Sequence, residues 1–145
     1  MKVAEVQLSY KTKVKPSERQ KVTSLETAKD IFMPFFDEDI EYIEKFCVMF
    51  LNRNHKVLGI QLLSIGGTAG TYVDPKIILQ GAILSNSSAI ILCHNHPSGN
   101  TKPSDADITI TKKIKQGAEL FDISLLDHVI ITSEGYLSMS DENII

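Results

Sequence analysis

Apolar and polar residues alternate near the start of the chain. Val6, Leu8 and Tyr10 are set against Gln7, Ser9 and Lys11, a period of two that predicts a half-buried strand. The period changes after Ser24. Leu25, Ala28, Ile31 and Phe32 fall on one helical face, Ser24 can cap that helix, and Pro34 ends or kinks it. Asp37 can cap a second short helix with Ile40 and Ile43 on its inner side. The pattern is then continuously apolar over 46–51, as in a strand buried on both faces. A polar turn at 53–56 and a further run at 57–63 predict a hairpin. Residues 66–71 read as a flexible, glycine-rich connection. Asp74 and Pro75 supply the cap and first position of a helix reaching about residue 84. A buried strand over 89–93 delivers the chain to His94. After a polar loop, Ser104 opens a helix to about residue 121, and strands over 123–132 and 136–139 complete the pattern. Helices alternating with strands around a mixed sheet define an α/β class.

Composition narrows this picture. The 145 residues suffice for one domain with one core, and no repeat, low-complexity tract or linker divides them. One domain over 1–145 is expected, with its core at about 24–140 and residues 1–23 forming an N-terminal strand and a basic connection. A hydrophobic share of 43% with 23% charged residues excludes a disordered or fibrous chain. The net charge of −3 argues against nucleic acid as the main partner, because phosphate neutralisation needs a basic excess. The five basic residues of 11–22 read as a solvated stretch. Cys47 and Cys93 lie in apolar runs and fit core thiols of a reducing compartment. There is neither an apolar run of roughly 20 residues nor a signal-peptide pattern, so a cytoplasmic protein without membrane contact is expected.

The chemistry concentrates between His94 and Asp107. Histidines at i and i+2 on a strand end face the same side, so both rings can reach one ion. Seven residues lie between His96 and Ser104, enough for a loop to fold back, and Asp107 lies one helical turn further on. Two imidazoles and a carboxylate suit zinc, with a fourth position left for water. Ser104 and Asp107 also form an S-x-x-D capping pattern, which needs no metal but is compatible with one. Zinc deaminases are excluded: no glutamate lies between the histidines and no Cys-x-x-Cys follows.

His-x-His, seven residues, Ser, two residues, Asp resembles the JAMM (MPN+) metalloprotease motif. The longer text His94-Asn95-His96-Pro97-Ser98-Gly99 with Pro103-Ser104 and Asp107 resembles the RadC branch in particular. Glu44 and Phe46 before Val48-Met49-Phe50-Leu51, Gly67-Thr68, Val73 with Pro75, and Leu126-Asp127-His128 extend the match over roughly 24–140. The resemblance implies a three-layer α/β/α fold related to cytidine deaminases (the JAB/MPN fold). It also implies one catalytic zinc held by His94, His96 and Asp107. Many relatives carry an N-terminal helix-hairpin-helix region, the usual reason for expecting DNA contact. This chain is too short for one, so a stand-alone domain is expected and the family's historical DNA-repair label is not favoured.

The resemblance also assigns roles. Glu44 matches the family's upstream glutamate, the base for a water activated by zinc; the residues alone leave Glu41 as a rival. Ser104 is expected to stabilise the oxyanion of an amide under attack. The resulting expectation is a zinc metallopeptidase or isopeptidase acting on a peptide or protein amide. Its alternatives are a DNA-processing accessory and a non-catalytic zinc-containing binding module. Asp127 and His128 either support the ligating histidines or serve the strand alone. His55 is expected to be exposed in a turn, Cys93 to point into the core, and the loop 66–71 to border the cleft or simply to connect.

Overall fold

The computed structural model of the chain describes residues 2–66 and 72–145. Helix α1 spans Leu25–Phe32, strand β1 Lys45–Leu51, β2 Val57–Ile65, helix α2 Pro75–Leu84, β3 Ala89–Asn95, helix α3 Asp105–Glu119, β4 Ser124–Ile131 and β5 Tyr136–Ser138. The strands form one sheet in the order β2-β1-β3-β4-β5. β1 runs antiparallel to β2 and β3, β3 and β4 are parallel across α3, and β5 is antiparallel to β4.

The alternation of side chains along β1 and β3 divides the core in two. Cys47, Met49, Leu51, Ile91 and Cys93 meet Ala28, Phe32 and Phe36 on the α1 side. Phe46, Val48, Phe50, Ile90 and Leu92 meet Ile78 and Ala82 of α2 and Ile114 and Ala118 of α3. The result is a mixed sheet between helical layers, the expected α/β/α arrangement. Each large side chain buried here contributes about 1.5–3 kcal/mol. α2 sits so close to the sheet that a Cβ on Gly81 would lie 2.6 Å from the ring of Phe50 and 2.9 Å from Gln61 Oε1.

The expected caps form. The Ser24 side chain accepts from Thr27 N–H and Asp74 from Lys76 N–H, so α1 and α2 start where the polar signals predict. Two expectations fail. Residues 6–10 form no strand: Val3, Val6 and Leu8 are exposed, and Tyr10 Oη donates to Leu58 O at 2.6 Å. A strand needs a partner, and at the start of β2 the outer edge is already taken by residues 20–22. There Val57 N–H donates to Gln20 O and Val22 N–H to His55 O. Residues 37–43 form turns instead of a capped helix. The carbonyls of Ile40 and Ile43 bond to the side chain of Asn95, which draws this segment onto the sheet. Of the loop 66–71 only Gly66 lies within the described residues; its N–H donates to Glu44 O. Among the described residues, no helix is long and apolar enough to cross a membrane.

Candidate metal centre

β3 is buried along its whole length and ends on His94, 1% exposed, and Asn95, with His96 following. Alternation turns His94 toward α3 and Asn95 toward the opposite face. A wholly buried Asn must satisfy its amide. Asn95 does so by donating to Ile40 O and Ile43 O and accepting from Lys45 N–H, at 2.7–2.9 Å. These bonds hold the backbone on either side of Glu44. Sequence reasoning missed this role, and its signal was a polar residue in a strand otherwise buried on both faces.

The loop after His96 turns back and Ser104 caps α3. The Ser104 hydroxyl oxygen accepts from Asp107 N–H at 3.0 Å, and Ser104 N–H donates to Asp107 Oδ2 at 2.9 Å, completing a capping box. Capping therefore aims the Asp107 carboxylate. Its Oδ2 lies 3.4 Å from His94 Nε2 and 3.3 Å from His96 Nε2, and the two Nε2 atoms lie 2.9 Å apart. A tetrahedral zinc with bonds of about 2.0–2.1 Å has ligand-to-ligand edges of roughly 3.3 Å. The triangle fits that requirement, and its two nitrogens and one oxygen are a donor set zinc accepts. Glu44 Oε1 stands 4.0 Å from His96 Nε2, and Glu44, His94 and His96 also form a group that could hold a metal ion. Glu41 is exposed, so Glu44 is the glutamate that reaches the histidines.

The electrostatics agree with a cation position. Burial disfavours the Asp107 carboxylate, but the His94 and His96 rings beside it outweigh that burial and hold its carboxyl far below the usual range. The bond to Asp107 raises His96, helped by Asn100 O, which accepts from His96 Nδ1–H at 2.6 Å. That last bond leaves His96 Nε2 facing the triangle.

Asp127 and His128, adjacent in β4, part company. His128 Nε2 lies 2.7 Å from His94 Nδ1, and Phe46 stacks on the His94 ring and meets His128 edge-on. Burial holds His128 well below its ordinary pKa. Asp127 faces the other way: it accepts from Ser138 Oγ at 2.5 Å, His128 N–H at 2.7 Å and Ser140 N–H at 3.1 Å. His128 thus backs a candidate ligand, while Asp127 ties β4 to the chain after β5. His55 is exposed in its turn, and Cys93 is buried in the core beside Cys47, its pairing partner on β1.

A cavity of about 530 Å³ adjoins the triangle. Glu44, His94 and Asp107 line it together with Phe46, Val73 and Ile110. Asn52, Ser87 and Asp122 line a separate cavity that contains none of these groups.

Comparison with known proteins adds a lineage. The model of a family described as the RadC-like JAB domain matches residues 22–144. A UPF0758 protein of Flavobacterium johnsoniae is 45% identical over 125 residues, covering 86% of this chain and 54% of the relative. A UPF0758 protein of Pseudomonas syringae pv. tomato is 40% identical over 101 residues, covering 70% and 45%. One from Methanosarcina mazei is 32% identical over 127 residues, covering 88% and 55%. The chain spans about half the length of the curated relatives it matches.

Proposed function

Since the chain belongs to the RadC-like JAB domain family, we propose that it is a zinc-dependent hydrolase of peptide or isopeptide amides. The observation that carries this reading is the triangle of His94 Nε2, His96 Nε2 and Asp107 Oδ2, with edges of 2.9–3.4 Å and Glu44 Oε1 beside it. His94, His96 and Asp107 would hold the zinc. When bound, zinc would lower the pKa of a water and polarise the substrate carbonyl.

The chain's own residues supply the rest. Glu44 Oε1 stands off the triangle by a distance that leaves room for a water, so it can take that water's proton and later return it to the leaving amine nitrogen. The Ser104 hydroxyl oxygen is engaged by Asp107 N–H, and its proton is left to donate to the carbonyl oxygen as charge develops there. A donor in that position contributes about 3–4 kcal/mol in comparable sites. Phe46, Val73 and Ile110 would receive an apolar side chain next to the scissile amide and exclude water from it. An acidic chain, net −3, supports a protein or peptide substrate over nucleic acid. A cytoplasmic setting belongs to the same reading, supported by two facing but unbridged core thiols.

The test is zinc content by elemental analysis, together with hydrolysis of peptide-linked and DNA substrates by wild type and Glu44→Gln. Wild type should carry one zinc and cleave an amide; Glu44→Gln should keep the zinc and lose turnover. Absence of zinc, or Glu44-dependent cleavage confined to DNA, would overturn the proposal.

A further inference from the structure

We infer that Thr111 and His128 are positioning residues that fix the tautomer of His94, so that its Nε2 lone pair faces the metal position before any ion arrives. Thr111 Oγ1 lies 2.5 Å from the main-chain carbonyl of Asp107. A carbonyl has no hydrogen to give, so the Thr111 hydroxyl must donate to it. The same Oγ1 lies 2.6 Å from His128 Nδ1. The hydroxyl has no second hydrogen, so Oγ1 accepts there and Nδ1 carries the proton.

His128 is wholly buried, which disfavours a second proton on its ring, so with Nδ1 carrying the hydrogen its Nε2 is left to accept. That nitrogen lies 2.7 Å from His94 Nδ1, which must therefore be the N–H donor. His94 Nε2 is left bare, 2.9 Å from His96 Nε2 and 3.4 Å from Asp107 Oδ2. The chain of bonds starts on the backbone of one candidate ligand, Asp107, and ends on the ring of another. It closes a circuit that Thr111, one helical turn beyond Asp107 in α3, makes possible. Phe46, stacked within 9° of parallel on the His94 ring, keeps that ring in the plane the circuit needs.

The inference extends the proposed function only through its effect on zinc affinity; the tautomers themselves are a property of the metal-free chain. Without the threonine hydroxyl, His128 Nδ1–H loses its acceptor and the ring gains by moving its proton to Nε2. His94 Nδ1 must then accept, and the His94 proton moves to Nε2, where it blocks the ion.

Long-range ¹⁵N–¹H correlation of the histidine rings in the metal-free full chain reads the tautomers directly, and a zinc titration against a competing chelator reads the affinity. Wild type should show Nδ1–H tautomers at both His94 and His128. Thr111→Val should convert them to Nε2–H and weaken zinc by about 10–100-fold, as loss of a ligand's hydrogen-bond partner does. Thr111→Ser should restore both. Nε2–H on His94 in wild type would overturn the inference, and this holds even if Thr111→Val does not fold. Unchanged tautomers and affinity in a folded Thr111→Val would overturn it as well. The expected tautomers in a wild type that takes up no zinc would uphold the relay and sink the metal reading instead.

Discussion

Asp107 at the start of α3 and Asp127 in β4 are both sheltered aspartates next to the histidine cluster, and they have opposite characters. Asp107 faces two imidazole rings, whose proximity outweighs its burial and holds its carboxyl low. Asp127 is bonded by the Ser138 hydroxyl and the N–H groups of Ser140 and His128, yet burial prevails and its carboxyl is raised. The difference lies in what can be replaced. A ring nitrogen can exchange its proton for an ion; a backbone N–H cannot. Asp107 therefore sits in an arrangement that can be converted to a metal site, and Asp127 in one that can only hold the chain together.

The comparison breaks most visibly under truncation. Asp107→Ala should weaken zinc by more than about 100-fold, beyond what loss of an outer hydrogen-bond partner costs. Competitive titration measures this, and a smaller loss would remove Asp107 from the ligand set. Asp127→Ala should leave zinc affinity within about threefold but cost about 1–3 kcal/mol of folding stability, because buried donors lose their acceptor. Urea denaturation checks it.

A third contrast concerns pH in the metal-free protein. Asp107's depressed carboxyl stabilises the fold above about pH 4 and that contribution fades as pH falls below it. His96's raised ring stabilises the fold below about pH 6.5 and loses that contribution as pH rises through its folded value. The stability gap between wild type and Asp107→Asn should thus be widest between about pH 4 and 6.5 and narrow on either side. For Asp127→Asn the slope is reversed: wild type should gain on the variant as pH falls through the raised Asp127 value. Denaturant midpoints across pH read both, and parallel slopes would erase the distinction. The smallest effect is expected at Ser104→Gly, which should cost roughly a few tenths of a kcal/mol as a cap. Its thermal midpoint should stay within a few degrees of wild type, so that any larger loss of turnover reports on the hydroxyl.

Much of this was legible in the chain. Ser24, Asp74 and Ser104 announce helix starts because capping is local, and the runs in β1 and β3 announce central strands because burial on both faces leaves no polar position. The histidines and Asp107 were legible for the same reason, as everything that joins them lies within residues 94–107. The failures are non-local. The alternation of Val6, Leu8 and Tyr10 says nothing of whether an edge is free to receive it. The turns at 37–43 depend on Asn95, some fifty residues away in sequence. Glu44 was separable from Glu41 only by resemblance until the register of β1 against β3 set Phe46 opposite His94. Thr111 gave no signal at all, since an interior helix threonine has many uses.

The loop between His96 and Ser104 has a consequence for how the molecule comes together. Closing so short a segment costs little chain entropy and can occur early in folding. The three candidate ligands lie on β3, this loop and the first turn of α3, whereas Glu44 is brought to them by the register of β1 against β3. In the proposed reading, the groups that would hold the ion and the glutamate that would act beside it are therefore brought in by different parts of the fold.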